Sequence, residues 1–194
     1  MPAEALRMEH ITKVYPNGVV ANNGIDFCVN VGEIHALSGE NGAGKSTLMK
    51  LLFGEEQPTR GKIYVGGKQV QITSPTEAIR LGIGMVHQHF MLVPSLSVVE
   101  NMILGLEPTK GPVIDRKLAE QRVVEISEKY NLNVPARAKI RELSVGQKQK
   151  VEILKALLHG AKILILDEPT AVLTPQETRE LFRELKELRN DGYT

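Results

Sequence analysis

One stretch constrains this chain more than any other. Gly39-Glu40-Asn41-Gly42-Ala43-Gly44-Lys45-Ser46-Thr47 fits the pattern G-x-x-x-x-G-K-[ST]. Glycines at 39, 42 and 44 let the backbone wrap tightly, with no Cβ in the way. The N–H groups of such a wrap face inward and form a concave anion site. A helix beginning near Lys45 adds its positive end. The loop is therefore shaped to grip the phosphates of a nucleoside triphosphate. Lys45 is expected to reach the β- and γ-phosphates, the Ser46 hydroxyl to ligate Mg²⁺, and Thr47 to add a phosphate contact. The alternative is a glycine-rich turn that binds nothing, and context argues against it. Ile34-His35-Ala36-Leu37 is predicted to be a short strand before the loop. Leu48, Leu51 and Leu52 follow at helical spacing.

A second element sits far along the chain. Ile163-Leu164-Ile165-Leu166 is a fully apolar run that ends in Asp167-Glu168. This predicts a buried parallel strand carrying two acids at its carboxyl end, where open α/β sheets place ligand-facing residues. Asp167 can hold Mg²⁺ beside the loop serine, and Glu168 can act as general base toward an attacking water. Without the phosphate loop, the pair would read as two solvated acids at an ordinary strand end.

Composition bounds the partners. The chain has 194 residues, with 24 Lys and Arg against 23 Asp and Glu, for a net charge of +1. That balance gives no support to a nucleic-acid or anionic-membrane binder. The single cysteine, Cys28, cannot form an internal disulfide and reads as a small buried apolar side chain. No leader-like segment or bilayer-length apolar run is present, so a soluble chain in a reducing compartment is expected.

Between these landmarks the chain alternates element types. Leu6 to Val14 and Val19 to Val31 predict strands, separated by a Tyr15-Pro16-Asn17-Gly18 turn. Lys62 to Val65 and Gly82 to Val86 predict two more, with a short helix over Thr76 to Leu81. From Met91 the pattern turns helical: Val98 to Leu104, then Asp115 to Tyr130 with Leu118, Ala119, Val123, Ile126 and Tyr130 on one face, then Gln147 to His159. Glu107 to Pro112 reads as a loop. Thr174, Pro175 and Glu177 form a capping box for a last helix whose buried face is Leu181, Phe182, Leu185 and Leu188.

Leu143-Ser144-Val145-Gly146-Gln147 resembles the signature of ATP-binding-cassette (ABC) ATPases. Taken with Gly39 to Thr47, Gln88 and Ile163 to Glu168, the likeness extends across nearly the whole chain. It is nearest to the ATPase subunits of bacterial simple-sugar and nucleoside importers. Those often carry Met85-Val86-His87-Gln88-His89-Phe90-Met91-Leu92-Val93-Pro94 much as it stands here. They are typically two cassettes fused in one chain, and this sequence resembles the first part of the amino-terminal one.

The resemblance implies an α/β, P-loop NTPase fold with an ABC-type antiparallel β subdomain and an inserted helical subdomain. It implies one domain over residues 1–194, incomplete at its carboxyl end. The nucleotide-binding core would occupy 1–89 and 159–194, and the helical signature subdomain 90–158. ATP and Mg²⁺ are the expected cofactors. Gly39, Asn41, Gly42, Ala43, Gly44, Lys45, Ser46 and Thr47 would hold the phosphates. Tyr15 would stack on adenine, or else pack as a turn aromatic. Ser46, Gln88 and Asp167 would meet the metal, while Glu168, Gln88 and Lys45 would act in hydrolysis. Ser144, Gly146 and Gln147 would reach the γ-phosphate of an opposing cassette, and Thr170 to Thr174 would touch that cassette. His87 and His89 lack a metal-site pattern and read as packing or surface residues. Val145 stands where glycine is commonest, so the residue there must keep an ordinary φ.

The implied activity is hydrolysis of ATP to ADP and phosphate, coupled to uptake of a small solute such as a nucleoside or simple sugar. The implied partners are a second cassette, transmembrane permease subunits and, indirectly, a solute-binding protein, with no nucleic acid. The implied place is cytoplasmic, peripheral on the inner face of the cell membrane. The family's switch histidine would lie beyond Thr194, so residues 1–194 alone are expected to bind ATP but hydrolyse it weakly. Two other classes remain open at this point: a soluble cassette ATPase of DNA repair or translation, and a binding-only nucleotide module. The solute is not encoded in such a domain.

Overall fold

The computed structural model describes residues 3–194. The chain divides into two compact units. One gathers the chain up to Gly84 with Ala161–Ile165 and Leu188–Thr194; the other holds Met85–Gly160 and Leu166–Glu187.

The first unit is built on a four-stranded antiparallel sheet. It comprises β1 (Glu4–Val14), β2 (Val20–Asn30), β3 (Arg60–Val65) and β4 (Lys68–Val70), in the order β2-β1-β3-β4. The Tyr15–Val19 turn joins β1 to β2, with the Tyr15 N–H donating to the Val19 carbonyl at 2.9 Å. Ala5, Leu6, Met8 and Ile11 are the buried side chains of β1, which breaks strict alternation. A bulge explains the break. Met8 pairs with Phe27 but Ile11 pairs with Ile25, so β1 carries one extra residue, and His10 sits at φ 51°. Gly61 on β3 lies against the bulge: a Cβ there would fall 2.7 Å from the Glu9 carbonyl oxygen.

The helix after the phosphate loop is α1 (Lys45–Phe53), which buries Leu48, Leu51, Leu52 and Phe53. It ends at Gly54 in the left-handed region, φ 76°. Next comes α2 (Pro75–Arg80), capped by the Ser74 hydroxyl, which accepts from the Glu77 N–H. The predicted strand over Ile34 to Leu37 is not formed as a ladder. The segment is exposed and lies in no ladder, because no strand among the described residues lies alongside to take its backbone groups.

Two strands, β5 (Ile83–Val86) and β8 (Ile163–Leu166), pair side by side. Their bonds progress in one direction. Ile163 N–H donates to the Gly82 carbonyl, and Asp167 N–H to the Val86 carbonyl, so the pair is parallel. Of β8, Ile165 alone is fully buried and its neighbours are half-buried. On its other edge Thr194 exchanges bonds with Leu164 and Lys162.

The second unit is mainly helical. It contains α3 (Val98–Ile103), a small hairpin of β6 (Thr109–Lys110) and β7 (Val113–Ile114), α4 (Arg116–Lys129) and α5 (Val145–Leu158). It also holds most of α6 (Pro175–Asn190). The hairpin corrects the reading of Glu107 to Pro112 as plain loop; Gly111, at φ 64°, supplies its turn. Val98, Met102, Ala119, Val123, Val151 and Leu154 fill the space where α3, α4 and α5 meet. Three predicted core positions are exposed instead: Cys28, on a strand of the first unit with one face open to solvent, and two on these helices. Leu118 and Phe182 face outward, and Glu184 takes a buried place on α6, paired with Lys150 at 2.7 Å. Among the described residues, no helix is long and apolar enough to cross a membrane.

Candidate nucleotide site

The phosphate loop lies in the first unit, and its shape depends on glycine. Gly42 and Gly44 sit at φ 83° and 84°. At Gly44 a Cβ would fall 2.2 Å from the Ala21 carbonyl oxygen, so no other residue fits. Gly44 caps α1, and its carbonyl accepts from the Leu48 N–H at 2.9 Å. Asn22 on β2 holds the same carbonyl through Nδ2 at 3.2 Å. Asn22 is 5% exposed, and its Oδ1 has no partner. The sequence reading missed this anchor, because one asparagine in an alternating strand carries no distinguishing pattern.

Lys45 spans the loop. Its ammonium donates to the carbonyls of Gly39 at 2.8 Å and Glu40 at 2.9 Å. Gly39, Glu40, Asn41, Gly42 and Ala43 are all exposed, while Ser46 and Thr47 are half-buried on the first turn of α1. Tyr15 stands beside them, with its hydroxyl 3.5 Å from the Thr47 Oγ1. The Lys13 ammonium lies 5.1 Å from the centre of the Tyr15 ring, so one face of that ring already meets a cation. The tight glycine turn, the bridging lysine and the hydroxyl at a helix start suit a polyphosphate with its divalent ion.

The second unit assembles the acidic pair. Glu168 follows β8 and adopts φ 48°, a conformation uncommon for a residue with a Cβ. The Ala171 N–H accommodates this turn by donating to the Glu168 carbonyl at 3.1 Å. Gln88, just past β5, donates from Nε2 to the Glu168 Oε2 at 2.8 Å. The parallel pairing of β5 and β8 places both side chains at neighbouring carboxyl ends. Asp167 is fixed by its N–H on Val86 at 3.0 Å. Gln88, Asp167 and Glu168 are thus brought together.

Ser144, Val145, Gly146 and Gln147 form the start of α5. The Ser144 hydroxyl accepts from the Gln147 N–H at 3.2 Å, and the Gln147 Oε1 accepts from the Ser144 N–H at 3.0 Å. Val145 is the first helical residue, so it needs no left-handed φ. Gly146 lies against α6, where a Cβ would come 2.8 Å from the Glu177 Oε1. The backbone and hydroxyl of Thr174 hold the Glu177 carboxyl below its usual range, and the Gly146 N–H adds to this. This contact between α5 and α6 was also not read from sequence.

The profile described as ABC transporter matches residues 22–171. The guanosine import ATP-binding protein NupO of Bacillus subtilis is 57% identical over 187 residues, 96% of this chain. The nucleoside import ATP-binding protein NupA of Lactococcus lactis subsp. cremoris is 54% identical over 187 residues, also 96% of this chain. The chain spans just over a third of these relatives, 36% and 37% of their lengths. A crystal structure of a nucleotide-free ATP-binding cassette from an ABC transporter superposes with a TM-score of 0.87 at 29% identity. That match covers 98% of this chain and 79% of the other. The loop, the acidic pair and the helix-capping signature thus lie on a P-loop NTPase fold of mixed sheet and helical subdomains, and the chain belongs to the ABC transporter family.

Proposed function

We propose that this chain is the ATP-binding and hydrolysing part of an importer for a nucleoside or simple sugar. The observation that carries the nucleotide reading is the loop itself. Gly44 is packed on the Ala21 carbonyl, and Lys45 is aimed along the loop. The loop N–H groups and Lys45 hold the β- and γ-phosphates, and Tyr15 takes the base. Ser46, Gln88 and Asp167 are the residues that would hold Mg²⁺, which would supply neutralising charge at the phosphates. Gln88 positions the attacking water. Glu168 accepts its proton as the water oxygen bonds to the γ-phosphorus and ADP leaves. Ser144, Gly146 and Gln147 meet the nucleotide of an opposing cassette.

The importer reading rests on the guanosine and nucleoside import functions in the names of the two relatives above. It brings with it a second cassette, permease subunits, a solute-binding protein and a position on the inner face of the membrane. Residues 1–89 and 159–194 then form the nucleotide core, and 90–158 the signature lobe. Calorimetry on the full-length protein, its other cassette disabled, tests the site. Lys45→Ala is expected to weaken MgATP binding at least about tenfold, as a lost charge at the γ-phosphate requires. Equal affinity in the variant refutes the assignment. Guanosine uptake by membranes carrying the intact protein, abolished by the same substitution, tests the importer reading.

A further inference from the structure

Between Gln88 and α3 the backbone runs through Met91-Leu92-Val93 with neither helix nor strand to satisfy it. Two buried side chains hold it instead. Glu152 on α5 accepts the Met91 N–H at 2.6 Å and is 5% exposed. Asn101 on α3, wholly buried, accepts the Val93 N–H at 2.7 Å and donates to the Val93 carbonyl at 3.1 Å. The pinned backbone turns Leu92 inward and leaves Met91 and Val93 exposed.

A carboxyl group is a costly way to fill a helix interface. Burial pushes the Glu152 carboxyl above its usual range, against the opposing pull of Lys155, the Met91 N–H and His87. An apolar residue would pack there without that cost, so the acceptor itself is what the position supplies. Glu152 also lies eight residues after Ser144, about two turns along the same helix. One helix therefore carries the signature at its start and the anchor of the Gln88 segment further on.

We propose that Glu152, together with Asn101, is a positioning residue that binds the segment after Gln88 to α5, so that Gln88 and the Ser144 signature move as one element. The proposal rests on the reading of Gln88 and Ser144 as nucleotide-contacting residues and names how their responses are joined. Its logic is that of a two-ended lever. If Gln88 shifts with the state of the nucleotide, a backbone fastened to α5 passes the shift on, and a loose one absorbs it.

The test uses the full-length protein assembled with its permease, comparing wild type, Glu152→Gln and Glu152→Met. Methionine keeps the volume and removes the acceptor, while glutamine keeps the acceptor and removes the charge. MgATP affinity is expected to stay within about twofold in all three, because the hydrogen bond Glu152 makes is to Met91 and not to a nucleotide-contacting residue. Stimulation of ATPase activity by the solute-loaded binding protein is expected to fall about fivefold in Glu152→Met and to be restored in Glu152→Gln. The Met91 amide is expected to exchange hydrogen about tenfold faster in the methionine variant alone. Full stimulation in Glu152→Met, or equal loss in both variants, overturns the proposal. An absence of ATPase activity in the wild type would instead strike at the proposed function. In that case protection of the Met91 amide in Glu152→Met equal to wild type still refutes the clamp.

Discussion

The Gln88 amide donates to the Glu168 carboxylate at 2.8 Å, though 80 residues separate them in the chain. The bond exists because β5 and β8 run parallel and end together. It also orients Glu168, which leaves its strand at an uncommon positive φ. A carboxylate held this way keeps one oxygen engaged and the other available to a water.

Glu168→Gln is therefore expected to separate binding from chemistry. MgATP affinity is expected to stay near wild type while turnover falls by about a hundredfold or more. Single-turnover hydrolysis beside equilibrium binding checks it. Unchanged turnover would remove Glu168 from the role of base.

Gly44→Ala probes the loop's shape. The new methyl would sit 2.2 Å from the Ala21 carbonyl oxygen, at φ 84°. The loop must then move off β2 or flip, at a cost of roughly 1–3 kcal/mol from backbone strain alone. A lower melting temperature and loss of MgATP binding are expected together. Wild-type nucleotide affinity in this variant would show that the loop can be shaped another way.

Lys150 and Glu184 form an ion pair between α5 and α6, with the carboxylate side chain 5% exposed. Lys150→Met leaves that carboxylate unpaired and is expected to cost about 3 kcal/mol of stability. Adding Glu184→Leu removes the stranded charge and is expected to recover most of the loss. Urea unfolding of the two variants and wild type gives the comparison. A double variant as unstable as Lys150→Met would mean the pair contributes more than mutual compensation.

His159 gives stability a pH dependence. Burial lowers its pKa below 6.5, helped by Lys155, while its Nε2 contact with the Met102 carbonyl at 3.3 Å opposes the shift. Below about pH 6.5 the unfolded chain therefore binds a proton that the folded one does not. Stability from this site is present above that pH and is lost as pH falls through the native value. His159→Gln is expected to flatten the slope of unfolding free energy below about pH 6.5. An identical slope in the variant would assign the dependence to other groups.

Much of the candidate site's local geometry was legible because it is made by near neighbours in the chain. A loop that wraps phosphate needs glycine where a Cβ would collide, then a cation and a hydroxyl at a helix start. Such residues stand next to each other in sequence from Gly39 to Thr47. The capping boxes at Ser144 and Thr174 are local in the same way, each closing over three residues. Strands β1, β2, β3 and β5 were readable from alternation or an apolar run, since period two is a property of a single strand.

Contacts between near neighbours in the chain could thus be read directly from the order of residues. Tertiary structure decided the rest, because those choices depend on distant partners. Ile34 to Leu37 has strand composition, yet a ladder needs a neighbour and none among the described residues provides one. Phe182 is more apolar than Glu184, yet Lys150 on another helix makes the glutamate the buried residue. Asn22 and Glu152 look like ordinary polar residues until Gly44 and Met91 bring backbone groups to them. A buried polar group is stabilised only by the partner the fold delivers, and that partner is set by packing across the chain, not by the residues beside it.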